Sequence, residues 1–571
     1  MSIPAFAQYA LFLGLVTALV KPAGAYLVCV FNDRRTWLDP ALRPVERLIY
    51  RLMRVEPARE MSWRTYTLAF VLFAAVGTVL LYALLRIQMF LPGGPDAGAL
   101  TTPMTPDLAL NTAVSFSTTT TWQAYAGETT MKYWTQLVGL AGQNFLAGAS
   151  GLAVGIAFIR GFARKFTGTI GNFWFDLVRS LLWVVLPLCI IGSVALISQG
   201  VPMTFAPYLK LTTIQGDVQI IARGPVAALE FIKNLGTNGG GFFNANGAHP
   251  FEGPTPLANL LGMLAIAVLP ASLTYTFGHM AGRPKAGWML YAVMVFLFVV
   301  GLVVCDAGEM AGNPRIASLG VTGPNMEGKE VRFGVAQTVL TAVATSNGAT
   351  GSTNAMHDSF MPASVSVPLC NMMLGEIVFG GLGTGLYSIV MVALVGLFIA
   401  GLMTGRTPEY LGKKIGPGEM KLIALFSLIT PVAALIPTAI AVVSDGGLAG
   451  LTTNGGPHGL TEILYTYSSC CANNGQAMAG LSANSAFYDL TTVPVMLAGR
   501  FGLAIPALAL AGRLATQGRR SQHAGTVPSD SLLFATVAIS AAVLIVLLSF
   551  LPALVLGPVV EHFLLHSGKL Y

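Results

Sequence analysis

Four short polar stretches hold the residues of this chain that could coordinate a cation through their backbone. They are Thr119, Thr120, Thr121 and Gln123; Thr237, Asn238, Gly239 and Gly240; Thr345, Ser346, Asn347 and Gly348; and Ala472, Asn473, Asn474 and Gly475. Long apolar runs flank each of them. Backbone that is neither helix nor closed barrel loses several kcal/mol per unpaired group when it faces lipid, so such loops survive at membrane depth only around a cavity or pore. Four of them at near-regular intervals imply a ring of carbonyl oxygens about one axis, the arrangement that replaces the water around a potassium ion. Gly239, Gly240, Gly241, Gly348 and Gly475 allow the positive φ that turns successive carbonyls the same way. The first stretch carries threonines where the others carry glycine, so one quadrant of the ring should differ from the rest.

Two further features belong to an ion path. Arg500 lies in the middle of an apolar run, where an arginine costs at least about 2.5–3.5 kcal/mol and normally faces the bundle interior. Glu376 is a possible partner for it. Gly380, Gly381, Gly383 and Gly385 crowd one short segment of the seventh apolar run. Each glycine weakens a helix by roughly 1 kcal/mol, so a break is expected there, and a break below a filter is a gate candidate. Together Arg500 and these four glycines are the gate candidates; close helix packing is the competing role for the glycines.

Aromatic and amide residues follow the polar stretches, around Asn246, His249, His357, Asp358 and Asn484. Bracing of the loops from behind is the expected role. His249 and His357 could ligate a metal, but no cysteine or second histidine nearby completes a site. Six scattered cysteines have no metal spacing, and Cys470 and Cys471 fall within the fourth polar loop. No Gly-Lys precedes Ser or Thr, and there is no Asp-Lys-Thr-Gly and no His-Glu-x-x-His. No nucleotide is expected to bind this chain, and no catalytic residue is assigned.

Such loops need a membrane scaffold. Hydrophobic residues make up 54% of the chain and charged residues 10%, against about 25% charged in a soluble domain. The fold class is therefore an all-α polytopic membrane protein. The net charge of +7 is not a nucleic-acid signature, because basic residues cluster in alternate connections: Arg34 to Arg64, Arg160 to Arg179, Arg283 to Lys285, Arg406 to Lys421 and Arg513 to Arg520. That alternation places those loops in the cytoplasm and both termini outside. Ten apolar runs are long enough to span: about 5–30, 66–91, 133–159, 175–198, 256–281, 287–305, 374–404, 420–443, 490–513 and 531–557. Setting aside the first and last leaves four pairs, each enclosing one polar loop. The expected units are an N-terminal span and basic loop (1–65), four parallel repeats (66–160, 174–283, 287–405 and 419–514) and a C-terminal span (531–571). Segments such as Pro225 to Leu235 and Gly334 to Ala344 precede the loops. At 1.5 Å per residue, about 11 residues reach roughly 16 Å, midway through a bilayer. Their carbonyl ends carry partial negative charge toward the axis.

The strings Thr237 to Pro250 (TNGGGFFNANGAHP), Met356 to Phe360, Gly480 to Asn484 and Gly405 to Lys414 resemble the potassium-binding, channel-like A subunits of bacterial Kdp potassium-importing ATPases, over essentially the whole chain. The resemblance implies a member of the superfamily of potassium transporters, built like four fused potassium-channel subunits in the bacterial inner membrane. It implies partners: a P-type ATPase subunit and two small membrane subunits, with lipids around them and no nucleic acid. It also implies a potassium filter at Thr119 to Gln123, Thr237 to Gly240, Thr345 to Gly348 and Ala472 to Gly475, with Arg500 below it. A stand-alone potassium channel or symporter of the same superfamily is the second reading. A membrane-embedded enzyme using His249, His357 and Asp358 is a third.

Overall fold

The computed structural model describes residues 3–92, 94–95, 99–403, 405, 408–520 and 527–568. Arg406 and Thr407, part of one string quoted above, lie outside the described residues. Among the described residues ten helices are long and apolar enough to cross a membrane: Ile3–Phe31, Trp63–Phe90, Thr135–Ala163, Phe173–Ser198, Pro256–Met280, Pro284–Ser318, Thr384–Met403, Pro417–Ala441, Ala486–Thr516 and Leu532–His566. The described strands form only small two-stranded sheets, such as the hairpin pairing Leu209–Thr212 with Val218–Ile221.

Four shorter helices stand between pairs of spans: Pro106–Ser117, Val226–Leu235, Gly334–Asn347 and Gly456–Cys471. We call them pore helices 1 to 4. Prolines in the first turn of the first and fourth suit that position, where the missing amide costs no helical partner. Their side chains are buried nearly all round. The chain is thus helix, pore helix, extended strip, helix, four times over, with one extra span at each end. The first span packs along Pro256–Met280, where Gly24 leaves room for Tyr275.

Three sequence expectations need correction. Thr345, Ser346 and Asn347 are the last turn of pore helix 3, not loop, because their amides stay within the helical ladder until Gly348. Cys470 and Cys471 likewise end pore helix 4 as buried free thiols. The seventh span begins at Thr384 rather than at 374. A separate helix, Pro362–Met373, precedes it, and residues 374–383 between the two are non-helical, with positive φ at Gly375, Glu376, Phe379 and Gly383.

On the side carrying the basic connections, Lys413 ties ends together. Its ammonium donates to the carbonyls of Arg164 (2.7 Å), Leu514 (2.9 Å) and Gln517 (2.7 Å). Carbonyls at helix C-termini lack helical partners and carry partial negative charge, so a lysine there is favourable.

Candidate functional site: a four-quadrant carbonyl ring

Each pore helix ends in the same four-residue pattern. A capping residue with negative φ (Thr118, Gly236, Gly348 or Ala472) is followed by a left-handed one: Thr119 (φ 64°), Thr237 (49°), Ala349 (49°) or Asn473 (51°). Next come Thr120, Asn238, Thr350 and Asn474. After these the backbone turns left-handed again at Thr121 (46°), Gly239 (79°), Gly351 (69°) and Gly475 (88°). The amide of each third residue is held by one equivalent carbonyl in its own pore helix: Thr120 to Ser115 (3.0 Å), Asn238 to Lys233 (2.9 Å), Thr350 to Thr345 (3.1 Å) and Asn474 to Ser469 (2.9 Å). With its N–H turned back to the helix, the residue's carbonyl is left for the axis.

The quadrants interlock in cyclic order. A Cβ added at Gly239 would overlap the carbonyl oxygen of Thr350, one at Gly351 that of Asn474, and one at Gly475 that of Thr120. The circle closes through Thr121, whose hydroxyl donates to the carbonyl of Asn238. The carbonyls of Thr120, Asn238, Thr350 and Asn474 therefore lie at corresponding places around one centre. Only a residue without a side chain fits the last position in three quadrants. In the first, threonine fits because its hydroxyl hydrogen-bonds where a methyl group would clash.

Side chains lace the ring. The amide of Asn473 donates to Thr120 Oγ1 (2.8 Å) and to the carbonyl of Met496 (3.0 Å). That of Asn474 reaches the carbonyls of Thr345 (3.1 Å) and Ser346 (3.2 Å). Gln123 pairs twice with Gly241, accepting from its N–H (2.8 Å) and donating to its carbonyl (3.1 Å). Above the ring a vestibule of ≈ 760 Å³ touches all four quadrants, at Thr121, Gly240, Gly351 and Gly475.

Behind the second strip lies a charged cluster that the sequence reading missed. Lys233, fully buried, contacts Glu230 (2.5 Å), Glu252 (2.6 Å) and Asn246 (2.6 Å). Asn246 donates in turn to the carbonyl of Gly240 (2.7 Å), and Glu252 accepts from the amide of Phe243 (2.7 Å). A lysine three residues after a glutamate, near the end of an otherwise apolar pore helix, was the available signal. His357 and His249 fill bracing positions. His357 bonds Tyr465 (2.9 Å), which donates to Gln476 (2.7 Å) in the fourth strip. His249 stacks on Phe243 with ring centroids 3.8 Å apart.

The gate candidates lie beside the lower end of the strips, with Arg500 and the glycine segment on either side of Gly151. The amide of Leu382 donates to Thr237 Oγ1 (2.7 Å), which joins the broken segment to the second strip. Gly380 and Gly385 pack on each other's backbone, as do Gly383 and Gly155. Gly381 leaves room for the Glu376 carboxylate. Break and close packing thus coincide. Arg500 is buried on a π-bulge, Ala498–Gly502. It donates to the carbonyl of Ala147 (3.1 Å) and reaches Ser150 Oγ (3.5 Å) on the neighbouring span, with its guanidinium 5.6 Å from the Phe70 ring centre. Among the described residues no ion pair joins it to Glu376, and none of its hydrogen bonds runs to Gly380–Gly385. A Cβ at Gly151 would lie 2.5 Å from the Leu382 carbonyl and 3.1 Å from Arg500 Nη2, so the two features are adjacent across that glycine.

Comparisons with known proteins give the family and the fold. The family model described as potassium-transporting ATPase A subunit matches residues 10–563. This chain belongs to that family. A potassium-transporting ATPase potassium-binding subunit of Methylorubrum extorquens is 50% identical over 571 residues, covering 100% of this chain and 99% of the relative. The protein of that name from Koribacter versatilis is 47% identical over 594 residues, covering 100% of both. Among solved structures, the potassium transporter TrkH from Vibrio parahaemolyticus shares the fold at TM-score 0.52 and 13% identity, covering 86% of this chain and 95% of that one. Family, spans and fold together make this a multi-pass helical membrane protein.

Proposed function

We propose that this chain selects potassium from the outside at the ring formed by the carbonyls of Thr120, Asn238, Thr350 and Asn474. It then passes the ion on as the translocating subunit of an ATP-driven importer in the bacterial inner membrane. The interlocked ring carries the reading: four equivalent carbonyls freed from their own helices, at the foot of a vestibule that reaches every quadrant. Carbonyl oxygens replace the hydration shell of a potassium ion without the cost of burying a fixed negative charge. The pore-helix C-termini add partial negative charge behind them. Residues 66–160, 174–283, 287–405 and 419–514 form the four quadrants, with both termini outside. In the third quadrant the filter runs from Gly348 to Gly351, and Thr345 serves as the helix carbonyl that anchors it.

The chain is a non-catalytic subunit in this reading. It has no phosphorylation motif, and its relatives are named as potassium-binding subunits of an ATPase. A P-type ATPase subunit supplies the hydrolysis, two small membrane subunits and lipids complete the assembly, and no nucleic acid takes part. Arg500 and the broken segment at 374–383, with the glycines Gly380, Gly381, Gly383 and Gly385 packed about it, stand as the barrier below the filter. Purification from native membranes, followed by mass spectrometry and assay of potassium-stimulated ATP hydrolysis, tests the proposal. An ATPase that stays bound, with hydrolysis rising as potassium is added, is expected. A chain that purifies without one and carries rubidium unaided in vesicles would be a stand-alone channel or symporter instead.

A further inference from the structure

On the vestibule side, away from the ring, four residues from three separate parts of the chain converge. His458 and Glu462 lie one turn apart in pore helix 4. Asp358 follows the third strip, and Glu561 comes from the last span. His458 Nε2 is 3.1 Å from Asp358 Oδ1 and 3.6 Å from Glu462 Oε1. His458 Nδ1 is 2.7 Å from Glu561 Oε1. All four side chains are at least nine-tenths buried, and that of Glu462 fully so. Asn454 holds the two carboxylates in place, 2.9 Å from Glu462 Oε1 and 3.4 Å from Asp358 Oδ2.

Charge and hydrogen bonding are both incomplete here. Three carboxylates surround one imidazole, and no lysine or arginine pairs with any of them among the described residues. Even a protonated His458 would leave a surplus of negative charge in a buried place, where uncompensated charge is costly. Glu462 Oε2 and Glu561 Oε2 are buried with no hydrogen-bond partner. The geometry supplies a second argument. Ligand atoms of the first three residues all lie within 4.8 Å of one another. A tetrahedral zinc ion with bonds of about 2.0–2.2 Å holds its ligands about 3.3–3.6 Å apart, and the two histidine-to-carboxylate distances fall close to that. A histidine ligand commonly donates its other ring nitrogen to a carboxylate, which fixes the ring and its tautomer. Glu561 is placed for that.

We propose that Asp358, His458 and Glu462 form a site for a divalent transition metal of the zinc type, with Glu561 as the carboxylate that orients His458. The metal would balance the charge and pin together the loop after the third strip, pore helix 4 and the last span. The site is independent of the potassium reading, since none of its ligands belongs to the ring.

The test uses the full chain with its bound partners, purified on a tag that carries no histidine, then dialysed against zinc chloride and assayed for bound metal. Competition against a chromophoric chelator gives the affinity. One zinc per chain is expected. His458→Ala should lose it, and Glu561→Gln should bind about 10–100-fold more weakly, as outer-shell carboxylate changes do. Glu128→Gln, at a carboxylate that accepts from the amide of the vestibule-lining Asn244 (2.8 Å), should bind like the unaltered chain. Absence of stoichiometric zinc from the unaltered protein would overturn the proposal, whatever the variants do. So would full zinc binding in a folded His458→Ala or equal affinity in Glu561→Gln.

Discussion

Gly239 has no room for a side chain, because its missing Cβ is where the Thr350 carbonyl sits. Gly239→Ala and Gly351→Ala should therefore displace a neighbouring quadrant's oxygen and raise the potassium concentration for half-maximal ATP hydrolysis at least about tenfold, which is about 1.4 kcal/mol of lost ion binding. Gly216→Ala, in an exposed hairpin turn with nothing within 4 Å of the added carbon, should leave that value unchanged. Gly348→Ala is a different experiment. Gly348 has φ of −78° and faces Ile266, so alanine there should disturb packing first. Gln123→Leu removes both bonds to Gly241, each worth about 0.5–1.5 kcal/mol, and should weaken potassium use several-fold in a protein of normal yield. Potassium titration of ATP hydrolysis reads all of these. The glycines of the second and fourth strips were legible from residue type alone. The third strip was not, because Thr345, Ser346 and Asn347 are as polar as a loop while their backbone still finishes a buried helix. The second left-handed residue, Gly351, marks the true register. The Asp358, His458, Glu462 and Glu561 cluster was hidden because its members are distant in sequence; only the one-turn spacing of His458 and Glu462 showed.

The spans were the most readable elements, since a bilayer demands about 20 apolar residues and few other segments supply them. The broken segment at 374–383 was legible as glycine crowding, but its position ahead of the seventh span was not: the apolar composition runs straight through it. Its neighbours support the barrier role proposed for it. It is anchored to Thr237 and lies across Gly151 from Arg500, a cation that stays charged under essentially all conditions. Arg500→Ala should remove the positive charge beside the path and raise passive rubidium leak in vesicles without ATP. Arg500→Lys should restore part of the barrier, keeping charge but losing the planar fork that reaches Ala147. An alanine variant as tight as the unaltered protein would make Arg500 a packing anchor only.

Across the whole molecule, cohesion comes from groups that join quadrants. Lys413 caps carbonyls from two spans and the segment after the second, so Lys413→Met should lower the melting temperature of the purified complex while its potassium affinity is kept, because none of its hydrogen bonds runs to a ring residue. Scanning calorimetry alongside the potassium titration separates the two effects. Four-fold architecture could be read from the recurrence of polar loops, whereas the cyclic contact from each quadrant to the next exists only in three dimensions. That contact is the centre of the account, and thallium, a heavy mimic of potassium, probes it directly. Crystals or grids of the complex prepared with thallium should show density on the axis within coordinating distance of the carbonyls of Thr120, Asn238, Thr350 and Asn474, and Gly239→Ala should lose it. Thallium bound elsewhere, or an axis left empty at saturating thallium, would contradict the assignment of this ring as the potassium filter.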